Sequence, residues 1–239
     1  GAGIAVAFLD GGCDVTVIET TEQALDAGRG RIAGLYDRSI ASGRLTEAAK
    51  AERLARASFA TDLAALADVD LVIEAVFEDM AVKQDLLRRL ESVLRADCVI
   101  ATNTSYLDID VMGEALARPE RLVGMHFFSP AHVMRLLEIV RAKKTSDAAP
   151  ATAVALGKRL KKISIVAGVC DGFIGNRILA RYRQECEFML EEGALPKEID
   201  AAFEAYGFAM GPFAMSDLAG LDIAWARRKR LAPLRKPED

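Results

Sequence analysis

Short apolar runs separated by long amphipathic stretches fill the first two-thirds of the chain, and this alternation limits the fold more than any other feature. Val15-Thr16-Val17-Ile18-Glu19, Leu71 to Val76, Cys98 to Ala101 and Leu122 to His126 are brief, rich in β-branched residues and apolar almost throughout. Strands of a parallel sheet read this way because helices cover both of their faces. Helical periodicity lies between them: Val82, Leu86, Leu90 and Val93 fall on one face of a helix, as do Ala153, Leu156, Leu160 and Ile163. Thr21 to Ala57 is long, charged and Ala-rich, which predicts one helix or a pair broken near Ala41-Ser42-Gly43. Strand-helix alternation of this kind predicts a doubly wound α/β domain over residues 1–169.

The last strand pattern is Ile163-Ser164-Ile165-Val166. Beyond it the chain predicts an all-helical domain over residues 170–239. One helix spans Gly172 to Glu192, another starts at Pro196, Gly211-Pro212 breaks the chain, and helix continues to about Arg230.

Composition removes several classes of function. The 239 residues are 51% hydrophobic and 28% charged, an ordinary globular balance that excludes disorder as the main state. With 31 Lys and Arg against 35 Asp and Glu, the net charge of −4 argues against a nucleic-acid or anionic-membrane partner. Cys13, Cys98, Cys170 and Cys186 stand far apart, so neither a disulfide framework nor a metal site is expected. No apolar run approaches the roughly 20 residues of a membrane span. A reducing, cytoplasmic setting is the expectation, with peroxisome or mitochondrion as the eukaryotic alternative.

The beginning of the chain carries part of a dinucleotide motif. Such a motif places glycines at a strand-to-helix turn so that backbone N–H groups can approach a pyrophosphate, and an acid follows at the end of the next strand. Ile4, Ala7 and Phe8 suit the packed face of the helix, and Glu19 ends the strand that follows. A carboxylate there suits the ribose diol of NAD and repels the 2′-phosphate of NADP. The other reading of Glu19 is a solvated acid in the first turn of the next helix. The strand and the first two glycines of the motif would precede residue 1.

A second cluster sits at later strand ends, where open α/β sheets gather ligands. His126 closes a strand and precedes Phe127-Phe128-Ser129-Pro130. If Leu136 to Val140 is a strand, Glu138 shares its face with apolar residues, so it is either on a solvated edge or buried with a partner. A His–Glu pair would orient the imidazole and stabilise it as it accepts a proton. Asn103-Thr104-Ser105 follows another strand and offers amide and hydroxyl groups, or simply turn chemistry.

These segments together resemble the L-3-hydroxyacyl-CoA dehydrogenases, and in particular the dehydrogenase part of multifunctional fatty-acid β-oxidation proteins. The matching stretches are Gly1 to Ala5, Glu74 to Glu78, Thr102 to Ser105, Gly124 to Pro130, Val133 to Glu138, Asp171 to Arg177, Gly211 to Phe213 and Asp217 to Asp222. The ending from Leu221 to Lys229 and Ser129 within His-Phe-Phe-Ser-Pro point to the multifunctional branch.

The resemblance implies a Rossmann-type domain and NAD-dependent oxidation of an acyl-CoA substrate, L-3-hydroxyacyl-CoA, to 3-ketoacyl-CoA. It implies His126 as general base, Glu138 as its partner, and Ser105 and Asn176 as hydrogen-bonding groups for the substrate. Gly1 (the third glycine of the motif), Glu19, Ala75, Glu78, Lys83 and Asn103 fall on the cofactor side. For Glu78 and Lys83 a helix N-terminal acid and a solvated lysine are the competing readings. His132 is expected at the surface with no role. An enoyl-CoA hydratase domain in the same protein and a homodimer through the helical region are further implications. Because the first strand is missing, two strand edges should lack a partner, the chain should be a fragment, and NAD should bind weakly or not at all. A dehydrogenase of a small hydroxy acid or sugar acid, or a non-catalytic relative or fragment, remains the alternative.

Overall fold

The computed structural model describes residues 1–221, Trp225, Arg228, Lys229 and residues 232–234. Asp222 to Ala224, Ala226, Arg227 and Arg230, which belong to the expected C-terminal motif and helix, lie outside the described residues. The chain forms two compact units, Gly1–Ile174 and Gly175–Asp239.

The first unit begins with α1 (Ala2–Asp10), β1 (Val15–Ile18), α2 (Glu22–Ala41) and α3 (Glu47–Leu54). The charged stretch is thus a helical pair. Thr21 and Thr46 cap the two helices by accepting from Ala24 N and Ala49 N. Gly43 adopts φ 71° in the break, a conformation glycine takes without steric cost. Next come β2 (Ala57–Ala60), β3 (Leu71–Glu74), α4 (Met80–Val93), β4 (Val99–Thr102) and α5 (Ile109–Gly113). The unit continues with β5 (Leu122–Phe127), β6 (Leu136–Arg141), α6 (Ala148–Arg159) and β7 (Ile163–Gly168).

The strands form two sheets. β1 pairs with β2 in parallel, and the second sheet has the order β3-β4-β5-β6-β7. β3, β4 and β5 are parallel; β6 runs antiparallel to β5, and β7 parallel to β6. Among the described residues β1 and β3 each keep one edge without a strand partner. β2 has no counterpart in the sequence reading, because Ala-Ser-Phe-Ala carries neither β-branched residues nor an apolar run.

Alternation along the strands divides the core. Ile100, Leu122 and Val140 pack on one face with Leu87, Leu90 and Ile109. Val99, Ala101, Val123, Met125, Leu137 and Ile139 pack on the other with Ile4, Ala149 and Ala153. Both faces are covered, which is why the strand sequences are continuously apolar rather than alternating. Each such large aliphatic side chain contributes about 1.5–3 kcal/mol by leaving water.

Two helix faces differ from the periodicity. On α4 the buried residues are Lys83, Leu87 and Leu90, whereas Val82 is 46% exposed. A cation takes the inward place next to Val82 because it has buried partners, described below. On α6 Ala153 and Leu160 are buried as expected, but Ile163 belongs to β7 and is exposed. Gly157 supplies the close approach instead: a Cβ there would lie 2.1 Å from Ser164 Oγ and 3.2 Å from Leu137 Cδ2.

The second unit contains α7 (Gly175–Glu191), α8 (Pro196–Tyr206) and α9 (Pro212–Ala219), with no strand among its described residues. Asp200 accepts from Phe213 N and Ala214 N, so α8 caps the start of α9. Tyr182, Phe203 and Phe208 form an aromatic cluster with centroids 5.0–6.1 Å apart.

Candidate active site

β5 and β6 place His126 and Glu138 directly opposite each other in antiparallel register, so both side chains leave the same face of the sheet. His126 Nδ1 lies 2.7 Å from Glu138 Oε2. His126 is 3% exposed and Glu138 fully buried, so the solvated-edge reading of Glu138 does not hold. The other carboxylate oxygen of Glu138 accepts from Ile174 N at 2.9 Å. That donor comes from the turn after β7, where Gly172 and Phe173 adopt positive φ. The same turn sets the Phe173 ring 5.6 Å from the imidazole, and Phe128 packs at 4.5 Å. A carboxylate that receives a backbone N–H on one oxygen acts as acceptor on the other. Where that oxygen accepts from Nδ1–H, the neutral imidazole leaves Nε2 unprotonated, in an aromatic setting.

The ends of β4 and β5 are tied together. Asn103 Oδ1 accepts from Phe127 N at 2.9 Å, and Asn103 N donates to Glu74 O. The following turn holds Thr104, Ser105 and Tyr106. Glu78 Oε1 accepts from Thr104 Oγ1 at 2.6 Å, Ser105 N at 2.8 Å and Tyr106 N at 3.1 Å. Glu78 is thus an anchor for this turn, while the helix N-cap of α4 is Asp79. Because β3, β4 and β5 are parallel, Ala75, Asn103, Ser105 and the His126 end of β5 gather along one edge of the sheet.

Lys83 is not a solvated lysine. Its side chain is 1% exposed and Nζ donates to Glu74 Oε1 and Oε2 at 3.0 and 2.8 Å. Glu74 also accepts from the Thr102 hydroxyl. Sequence reasoning did not single out Glu74 or Thr102; an acid closing an otherwise apolar strand was the available signal.

At the other sheet, Glu19 follows β1 and lies 3.8 Å from Arg31, its backbone N donating to Ala60 O. It precedes the Thr21 cap, so the first-turn acid of α2 is Glu22 and not Glu19. Gly1 is exposed and caps α1 through its carbonyl, which accepts from Ile4 N and Ala5 N. Asn176 stands in the first turn of α7, half-buried, in the second unit. His132 is half-buried rather than at the surface. Its Nδ1 is enclosed with no hydrogen-bond partner among the described residues, and burial holds its pKa below the ordinary value. Lys162 Nζ closes the loop after His126 by donating to Ala131 O and Met134 O at 2.6 and 2.7 Å.

Comparison with known proteins follows the same lines. Residues 1–170 match the family described as 3-hydroxyacyl-CoA dehydrogenase, NAD binding domain. Residues 172–237 match 3-hydroxyacyl-CoA dehydrogenase, C-terminal domain. The peroxisomal bifunctional enzyme of Danio rerio is 48% identical over 96% of this chain, and that of Homo sapiens 38% identical over the same share. The chain spans 31% of the length of these curated relatives. Among solved structures, (S)-3-hydroxybutyryl-CoA dehydrogenase from Ralstonia eutropha matches with a TM-score of 0.90 at 36% identity, covering 97% of this chain and 82% of that one. The dehydrogenase part of multifunctional enzyme 1 from C. elegans matches with a TM-score of 0.69 at 31% identity, covering 96% of this chain and 53% of that one. On the family models and these identities, the chain belongs to the 3-hydroxyacyl-CoA dehydrogenase family.

Proposed function

We propose that this chain carries out the NAD-dependent oxidation of an L-3-hydroxyacyl-CoA to the 3-ketoacyl-CoA, as the dehydrogenase part of a longer fatty-acid β-oxidation protein. The observation that carries this reading is the 2.7 Å contact between His126 Nδ1 and the buried Glu138 carboxylate. His126 Nε2 removes the proton from the C3 hydroxyl as the C3 hydrogen leaves with its electron pair. Positive charge then grows on the imidazole, and Glu138 stabilises it across the shared hydrogen bond. Ser105 and Asn176 hold the oxygen at the reacting carbon. The bond from Asn103 to Phe127 N keeps the ends of β4 and β5 at a fixed separation, which preserves this alignment.

The residues present suit a dinucleotide. The first turn of α1 carries no acidic side chain, and the N–H groups ahead of Ile4, the first to donate to the Gly1 carbonyl, can face a pyrophosphate. Glu19 offers a carboxylate for a ribose diol at the end of β1, and Gly1, Ala75, Glu78, Lys83 and Asn103 complete the cofactor side. A bound nicotinamide supplies the acceptor for the hydride from C3. In this reading residues 1–169 bind the dinucleotide and residues 170–239 form the family's helical domain, through which two copies pair. The multifunctional relatives support fusion to other domains, of which an enoyl-CoA hydratase is the one the family resemblance implies, and their peroxisomal names favour the peroxisome over the cytoplasm. No helix among the described residues is long and apolar enough to cross a membrane.

The test is NADH oxidation with acetoacetyl-CoA by the intact protein. Turnover that disappears in His126→Ala supports the reading; turnover of a small hydroxy acid but not of the CoA thioester overturns it.

A further inference from the structure

Lys83 is a cation buried in the core of the first unit. Its ammonium is 1% exposed, and an apolar residue of similar volume at this position would avoid the desolvation of a charge. Its partners explain what the charge does. Glu74 grips Nζ with both oxygens, and Val76 O lies at 3.4 Å. Thr102 steadies Glu74 from the neighbouring strand. The remaining direction of Nζ is toward Glu78 Oε2, at 3.4 Å. The other oxygen of Glu78 receives Thr104 Oγ1, Ser105 N and Tyr106 N together. Glu78 itself is 39% exposed and follows a strand end, so neither burial nor secondary structure fixes it. The buried cation holds it from behind.

We propose that Lys83 is a positioning residue: acting through Glu78, it fixes the turn that carries Ser105 and so aims the Ser105 hydroxyl at the substrate. This rests on the substrate role of Ser105 given under the proposed function. It requires no contact between Lys83 and the dinucleotide. Charge and burial act in sequence here. Glu74 makes the cation tolerable in the core, the cation attracts Glu78, and Glu78 gathers three donors of a turn that has no strand partner of its own.

The experiment combines amide exchange with kinetics in the intact protein. Lys83→Met alone leaves Glu74 buried without a cation and can fail to fold. The informative variants are therefore the double substitution Glu74→Met with Lys83→Met, which removes both charges at similar volume, and Glu78→Ala at a half-exposed site. In both, the Ser105 and Tyr106 amides should exchange at least ~10-fold faster while Ile100 and Ala101 in β4 keep their protection. Unchanged exchange at Ser105 and Tyr106 in the double variant overturns the proposal. With acetoacetyl-CoA and NADH, the double variant should lower kcat at least ~10-fold, and in a Ser105→Ala background it should add nothing further. Fully additive losses overturn it, because Lys83 would then act by another route. If Ser105→Ala is kinetically silent while the amides respond as described, the substrate role of Ser105 fails and the fixing of the turn by Lys83 stands.

Discussion

His126 and Glu138 are register partners across β5 and β6, and their buried side chains meet at 2.7 Å. Twelve positions of chain separate them, yet no loop flexibility enters their alignment, because sheet pairing sets it. The second oxygen of Glu138 is held by Ile174 N, so the carboxylate cannot rotate away from the imidazole. Orientation and charge are therefore supplied by the same residue.

The consequence for activity is direct. His126→Ala should lower kcat by about 10²–10⁴-fold, the usual contribution of a positioned base, while NAD affinity measured by titration stays within about twofold. Glu138→Gln turns one of the two acceptor positions into a donor. It should lower kcat at least ~10-fold, because the amide either sets an N–H against Nδ1–H or drives the imidazole proton onto Nε2, and the first arrangement would also cost about 1–3 kcal/mol in urea unfolding. Equal losses of affinity and kcat in His126→Ala would place the histidine in binding rather than chemistry.

Gly124 is fixed by packing on one face of β5. A Cβ at this position would lie 2.6 Å from Ile109 Cδ1 and 2.7 Å from Val140 Cβ. Gly124→Ala should destabilise by about 1–3 kcal/mol through overpacking. Ile109→Val in that background removes one clash and should recover part of the loss, read from urea midpoints. Full recovery would show that Val140 yields more easily than a residue paired opposite Gly124 should.

Much of this arrangement is legible in the chain. The continuous apolar runs around Ile73, Ile100 and Val123 mark strands because both faces of the larger sheet are buried. Thr21, Thr46 and Gly43 mark the ends of helices by local chemistry. The His126–Glu138 pairing follows once Leu136 to Val140 is a strand. What escaped the sequence depends on partners distant in the chain. β2 forms because β1 offers an edge, not because Ala57 to Ala60 prefers to be extended. Lys83 points inward because Glu74 waits there, and periodicity reads only polarity. His132 is enclosed by a loop closed through Lys162 and set against α1, where a Cβ on Gly3 would lie 3.5 Å from His132 Nδ1.

Thiol reactivity should separate the cysteines. Cys98 and Cys186 are 0% and 1% exposed, and burial pushes both thiols above their ordinary pKa. Thiolate is the reactive form, so neither should label with a disulfide reagent in the native protein, whereas partly exposed Cys13 should. Mass mapping after brief labelling checks this; modification of Cys98 before unfolding would contradict the buried β4 end.

Acid stability should depend on Glu91. This residue of α4 is mostly buried, which alone would push its pKa up. Ala117 N at 2.7 Å, Arg118 N at 3.0 Å and the Arg121 guanidinium at 3.4 Å outweigh that and hold it below its ordinary 4.5. Its native pKa lies under the unfolded one, so the unfolded chain binds a proton first as acid is added. The contribution to stability is complete above about pH 4.5 and is lost as pH falls through the lower native value. Glu91→Gln keeps the shape but cannot gain from ionisation. Urea midpoints of the two proteins should therefore differ clearly at about pH 7 and converge as the pH falls through the native value. A gap that stays constant across that range would mean that the three donors act on Glu91 by geometry alone and that its charge contributes nothing.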